Sequence, residues 1–145
     1  MFQKDFVLRM MEMMAEVIAV FLGLIKKGDV EQAARCLSKA YQDILKQDAA
    51  FFNSIPKERL TNQLIEAHHY TNGHLKILSE LFFAEGELRR ERGANGLALD
   101  YYDKALLLFE FVEKEVATYS AEREERRNIL HKRIDELKVS TSKKE

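Results

Sequence analysis

Arg92-Gly93-Ala94-Asn95-Gly96-Leu97-Ala98 repeats a punctuation met earlier at Lys27-Gly28-Asp29. Ala98 and Ala105 stand five and twelve residues after Gly93, and Ala33 and Ala40 stand at the same offsets from Gly28. An apolar residue (Leu37, Tyr102) falls at offset nine in both segments, and a lysine (Lys39, Lys104) at offset eleven. Glycine takes the left-handed conformation that ends a helix. Two small residues two helical turns apart let the next helix lie close to its neighbour. The spacing therefore predicts an all-α chain of about six antiparallel helices, stacked as hairpins with a C-terminal capping helix.

Working outward, a first helix is predicted over Asp5 to Lys27. Asp5, Arg9, Glu12, Glu16 and Lys27 form one narrow polar stripe, and nearly everything else is apolar. Such a helix needs cover on more than one side. Asp29 and Gln32 suit an N-terminal capping box for the second helix, which extends towards Phe51 and Phe52. Pro56 suits the first turn of a third helix, ended by Thr71-Asn72-Gly73. A fourth helix over His74 to Arg92 follows, then a fifth capped by Asn95. Ser120 caps a final helix whose thin apolar stripe is Leu130, Ile134 and Leu137, with solvated pairs such as Glu122–Arg126 on its other side. Residues 1–138 read as one domain and 139–145 as a flexible tail.

The bulk properties narrow the function. The 145 residues are 46% hydrophobic and 32% charged, which excludes a disordered chain. A net charge of −1 argues against a nucleic-acid partner, since phosphate contacts need a basic excess. The apolar run Val17 to Ile25 is too short to span a bilayer. Asp5, Glu12 and Glu16 before it and Lys26-Lys27 after it do not suit a secretory leader. One cysteine forms no internal disulfide. The expectation is a cytoplasmic protein with no membrane segment.

The two punctuated segments resemble tetratricopeptide repeats. Ser79 to Glu110 supplies Phe82 for the early aromatic, Gly86 for the small eighth position, Gly93 for the turn, then Ala98, Tyr102 and Ala105. Met14 to Leu45 supplies Gly28, Ala33, Leu37 and Ala40, while Glu85 and Arg89 stand where the motif is usually apolar. The resemblance implies a concave face lined by the first helix of each hairpin. That face would offer Phe83, Glu87 and Arg90 from one unit and Ile18, Leu22 and Ile25 from the other. The opening Met1 to Arg9 also resembles the start of a family of short uncharacterised bacterial proteins, which implies a small bacterial intracellular protein.

No catalytic motif or cofactor signature appears. Glu66 and His69 have Glu-x-x-His spacing and His74 lies nearby, so a metal or small-molecule site is one reading. A histidine cluster at a helix end is the other, because no second Glu-x-x-His completes a ligand set. Cys36 reads as a structural thiol rather than a nucleophile. Met10, Met11, Met13 and Met14 read either as core or as an adaptable binding surface. The leading expectation is a non-enzymatic protein-interaction or assembly module with a protein or peptide partner. Its bare first helix, covered either by the chain's own helices or by a second copy, predicts a homodimer. A regulatory fragment lacking a DNA-binding half is a further alternative.

Overall fold

The computed structural model describes residues 2–114 and 120–143. Among the described residues there are seven α-helices and no strand: α1 (Phe2–Lys27), α2 (Val30–Ala40), α3 (Ala49–Asn53), α4 (Leu60–His68), α5 (Asn72–Glu91), α6 (Asn95–Glu113) and α7 (Ala121–Lys143). The fold is all-α.

Both glycines end their helices in the same way. Gly28 and Gly93 sit at φ of 82° and 78°. The Gly28 N–H donates to Ile25 at 3.0 Å and the Asp29 N–H to Leu24 at 2.9 Å; Gly93 donates to Arg90 at 3.0 Å and Ala94 to Arg89 at 2.9 Å. These paired bonds satisfy the carbonyls a helix end leaves open. Ala33, Ala40, Ala98 and Ala105 are all buried. Here α1 packs on α2 and α5 packs on α6.

The caps depart from the sequence reading in three places. Asp29 does accept from the Gln32 N–H, but Gln32 Oε1 accepts from Arg35 at 2.6 Å, so the box is half made. Ala94, not Asn95, occupies the cap of α6, and no side chain bonds there. The Thr71-Asn72-Gly73 segment starts α5 rather than ending α4. The stop of α4 is His69, held left-handed at φ 57°. Ser120 caps α7 through the Arg123 N–H at 3.3 Å. That helix runs on to Lys143, past the predicted start of a tail.

The second helix also breaks early. A π-turn over Tyr41–Leu45 leads to Lys46, left-handed at φ 59°, and Asp48 then caps α3 by accepting from the Phe51 N–H at 2.8 Å. This offset turns Phe52 into the core, where it packs near Tyr41. Pro56 precedes a 3-10 turn (Lys57–Arg59) that feeds α4.

The helix enclosed on every side is α5, not α1. From Leu75 to Leu88 only Lys76 and Glu80 escape full burial. Helices α1, α2 and α6 pack on it, and α7 crosses it through polar contacts. The buried polar residues Ser79 and Glu85 on α5 are matched. Ser79 donates to the Ala105 carbonyl at 2.8 Å, and Glu85 pairs with Arg89 at 3.3 Å. On α6, buried Lys104 donates to the Asn53 carbonyl at 2.8 Å and to its side-chain oxygen at 3.0 Å. Each bond offsets a desolvation cost that an orphan group would bear in full.

Candidate functional site

Two surfaces were singled out by the sequence, and the chain itself fills the first. Phe83 and Glu87 are only 3% and 5% exposed, because α7 lies over them. The Arg126 guanidinium sits 4.0 Å above the Phe83 ring and pairs with Glu80 at 3.2 Å, in place of the expected Glu122. Arg133 Nε donates to Glu87 Oε1 at 2.8 Å, and the Tyr102 hydroxyl donates to the same oxygen at 2.5 Å. Arg90, half-buried, reaches Glu87 at 3.9 Å. Arg127 ties α7 to Glu113 of α6. Leu130, Ile134 and Leu137 complete the contact as a thin apolar seam. With α7 in place, Phe83 and Glu87 meet no outside partner.

The electrostatics follow from this burial. Loss of water, then the charge and hydrogen bond of Glu87, push the Tyr102 phenol far up, so it stays a donor. Burial alone would lower Arg133, but the Glu87 bond and charge outweigh it and the group is held up. Around Glu85, burial raises the carboxyl despite Arg89 and Arg92, and burial pushes Tyr101 up to about 12. The nearby Tyr41 hydroxyl is buried without a hydrogen-bond partner. Arg92, just before the second glycine, pairs with Glu31, just after the first, at 3.1 Å.

The second surface lies on α1, on a different face from the one expected. Ile18 is buried and Leu22 and Ile25 are half-buried, all packed against the core. Leu8 is left in solvent on another side of the helix, at 48% exposure, and beside the expected face lie the exposed Phe6, Met13 and Val20, at 61%, 46% and 57%. They recur every seven residues, so they share one side of the helix. Half-buried Val17 and Leu24 adjoin them and widen the strip towards the core. Of the methionines, Met10 and Met14 are core and Met13 is surface. A helical wheel reveals this strip in the sequence; what it cannot reveal is which side the other helices cover.

The histidine cluster is used for packing and capping. His74 Nδ1 accepts from the Thr71 N–H at 3.1 Å while the His74 N–H donates to Thr71 Oγ1 at 3.3 Å, a capping box with imidazole in the usual place of a carboxylate. Accepting at Nδ1 requires neutral imidazole with its proton on Nε2. Burial accordingly lowers its pKa. The ring stacks on Tyr70 at 4.8 Å, and His68 meets Phe51 edge-on at 5.4 Å. Glu66 and His69 are exposed, and no group of three His, Cys, Asp or Glu among the described residues is arranged to hold a metal ion. Cys36 is half-buried and burial pushes its thiol up, away from nucleophilic thiolate.

A cleft of about 130 Å³ lies where α5, α6 and α7 meet, lined by Lys76, Glu80, Phe109, Val112, Arg123 and Arg126 among others. Its Arg126 and Glu80 already face each other, which fits a solvated seam. No helix among the described residues is long and apolar enough to cross a membrane. Comparison with protein-family models, with curated proteins and with solved structures gave no match.

Proposed function

We propose that this chain is a non-enzymatic interaction or assembly module, tetratricopeptide-like in its glycine and alanine punctuation, that self-associates through α1. The observation that carries the reading is the open strip of Phe6, Met13 and Val20. Three large apolar side chains aligned on one helix face favour being covered. The face next to it is already committed to the core, and the described residues leave the strip open, which supports cover by another molecule. A second copy is the partner always present at matching concentration, and an isologous contact uses one patch twice. The groove over Phe83 and Glu87 is not assigned a peptide, because α7 occupies it.

The test is solution mass. Light scattering on the purified chain at rising concentration is expected to move from 16.9 kDa towards twice that value. Met13→Glu is expected to hold the lower mass with unchanged helicity. A wild-type chain that stays at monomer mass into the high micromolar range overturns the proposal.

A further inference from the structure

We infer that two copies pair antiparallel along α1, about a two-fold axis passing between the levels of residues 12 and 13, with Arg9 of each copy facing Glu16 of the other. This rests on the self-association reading above and adds the register to it.

The register follows from what borders the apolar strip. On one side the strip runs into the core through Val17 and Leu24. On its solvent side stand Arg9 and Glu16, both exposed, of opposite sign, seven residues apart and so on the same edge. Neither makes an ion pair with another described residue, so both charges are open to a partner; the ion pairs within the chain lie chiefly on α5, α6 and α7.

Pairing direction decides whether these two charges are used. In a parallel pair, one helix's solvent edge meets the side of its partner that carries Val17 and Leu24, so Arg9 and Glu16 gain nothing. In an antiparallel pair, the two solvent edges face each other. Residue i then stands level with 25−i when the axis lies between 12 and 13. Arg9 is level with Glu16 of the other copy, and symmetry makes the bridge twice. The same register sets Met13 beside its own counterpart and seats Phe6 between Val17 and Val20 of the second copy. Shifting by one heptad sets Glu16 against Glu16 or Arg9 against Arg9. Charge and shape thus select one alignment.

Sedimentation equilibrium on charge variants tests the register. Arg9→Glu and Glu16→Arg each place two like-charge contacts in the dimer and are expected to weaken it roughly ten-fold or more. The double exchange, Arg9→Glu with Glu16→Arg, is expected to restore the wild-type constant. An equimolar mixture of the two single variants is expected to form a mixed dimer. Cross-linking gives a readout that does not depend on charge. In a Cys36→Ser background, Met13→Cys is expected to oxidise to a covalent dimer, and Val20→Cys is not. Arg9, Met13, Glu16 and Val20 are solvent-facing and Cys36 is half-buried, and circular dichroism verifies that each variant stays folded.

A dimer broken by Met13→Glu but unchanged by the charge variants, or cross-linked through Val20→Cys instead, overturns the register and leaves self-association standing. A wild-type monomer overturns both. A dimer that tolerates Met13→Glu places the contact away from this face and also overturns both.

Discussion

The ring of Tyr102 on α6 lies against the bare backbone of Gly86 on α5. A Cβ on Gly86 would stand 2.5 Å from Tyr102 Cε1 and 2.8 Å from Cζ. The ring cannot swing away cheaply, since its hydroxyl is fixed to Glu87 and its face to Phe83 at a centroid distance of 6.2 Å. Two effects compete in Gly86→Ala. Alanine favours a helix interior over glycine by about 0.5–1 kcal/mol. Overpacking a tight core costs about 1–3 kcal/mol. The clash is expected to win, so Gly86→Ala lowers stability in urea titration by about 1 kcal/mol. Adding Tyr102→Leu is expected to make the alanine neutral or favourable. Simple additivity of the two changes would show that the ring is not the obstacle.

Glu87 is the polar hinge-pin of the α5–α6–α7 contact, because it accepts from Tyr102 and Arg133 together. Glu87→Ala leaves both donors without their acceptor. Breaking a fully buried pair costs about 3–5 kcal/mol. Arg133 keeps 22% of its side chain in solvent, so we expect about 2 kcal/mol here. Trypsin is expected to cleave faster at Lys132 and Arg133 in the variant. Unchanged cleavage would mean that the apolar seam of Leu130, Ile134 and Leu137 holds α7 by itself.

These two contacts show what was legible in the sequence and what was not. Gly28 and Gly93 were legible because a left-handed residue after a helix restricts the choice of side chain locally. Ala33, Ala40, Ala98 and Ala105 were legible because close packing demands small residues at fixed intervals. Phe83 and Glu87 read as lining a concave face, and nothing local reveals that Arg126 and Arg133, some 45 residues away, descend on them. On α1, Ile18, Leu22 and Ile25 likewise turn out to be packed against the core. The apolar wheel of this helix is nearly continuous, so composition left the choice of core face open, and only packing against α2 and α5 picks Met10, Met14, Ile18 and Phe21. The Thr71-x-x-His74 box carried a local signal, obscured by a histidine standing where a glutamate is usual.

That box makes stability depend on pH. Folding lowers the His74 pKa below its ordinary value of 6.5, chiefly through burial, and the Nδ1 bond to the Thr71 N–H requires the neutral ring. Between the lowered folded value and 6.5 the unfolded chain binds more protons, so stability rises with pH across that window. The contribution is complete above 6.5 and is lost as pH falls through the folded value. Urea midpoints at pH 7.5 and at lower pH are expected to separate more in the wild type than in His74→Gln. Gln keeps a side-chain acceptor for the Thr71 N–H and has no charge to gain. Equal separation in both proteins would assign the acid sensitivity elsewhere.

The two faces of α1 make opposite predictions for substitutions two residues apart. Ile18 points into the core and Val20 into solvent. Ile18→Ala removes packed atoms and leaves a cavity, at a cost of about 2–4 kcal/mol. Val20→Ala in the monomer touches no packed surface, and is expected to stay within about 0.5 kcal/mol of wild type. At high concentration the ranking by mass reverses. Val20→Ala is expected to weaken self-association, while Ile18→Ala alters it only through loss of fold. Urea titration at low concentration, beside sedimentation at high concentration, separates the two effects. If Val20→Ala destabilises the dilute monomer as strongly as Ile18→Ala does, α1 is turned on its axis from the orientation described, and the strip of Phe6, Met13 and Val20 belongs to the core.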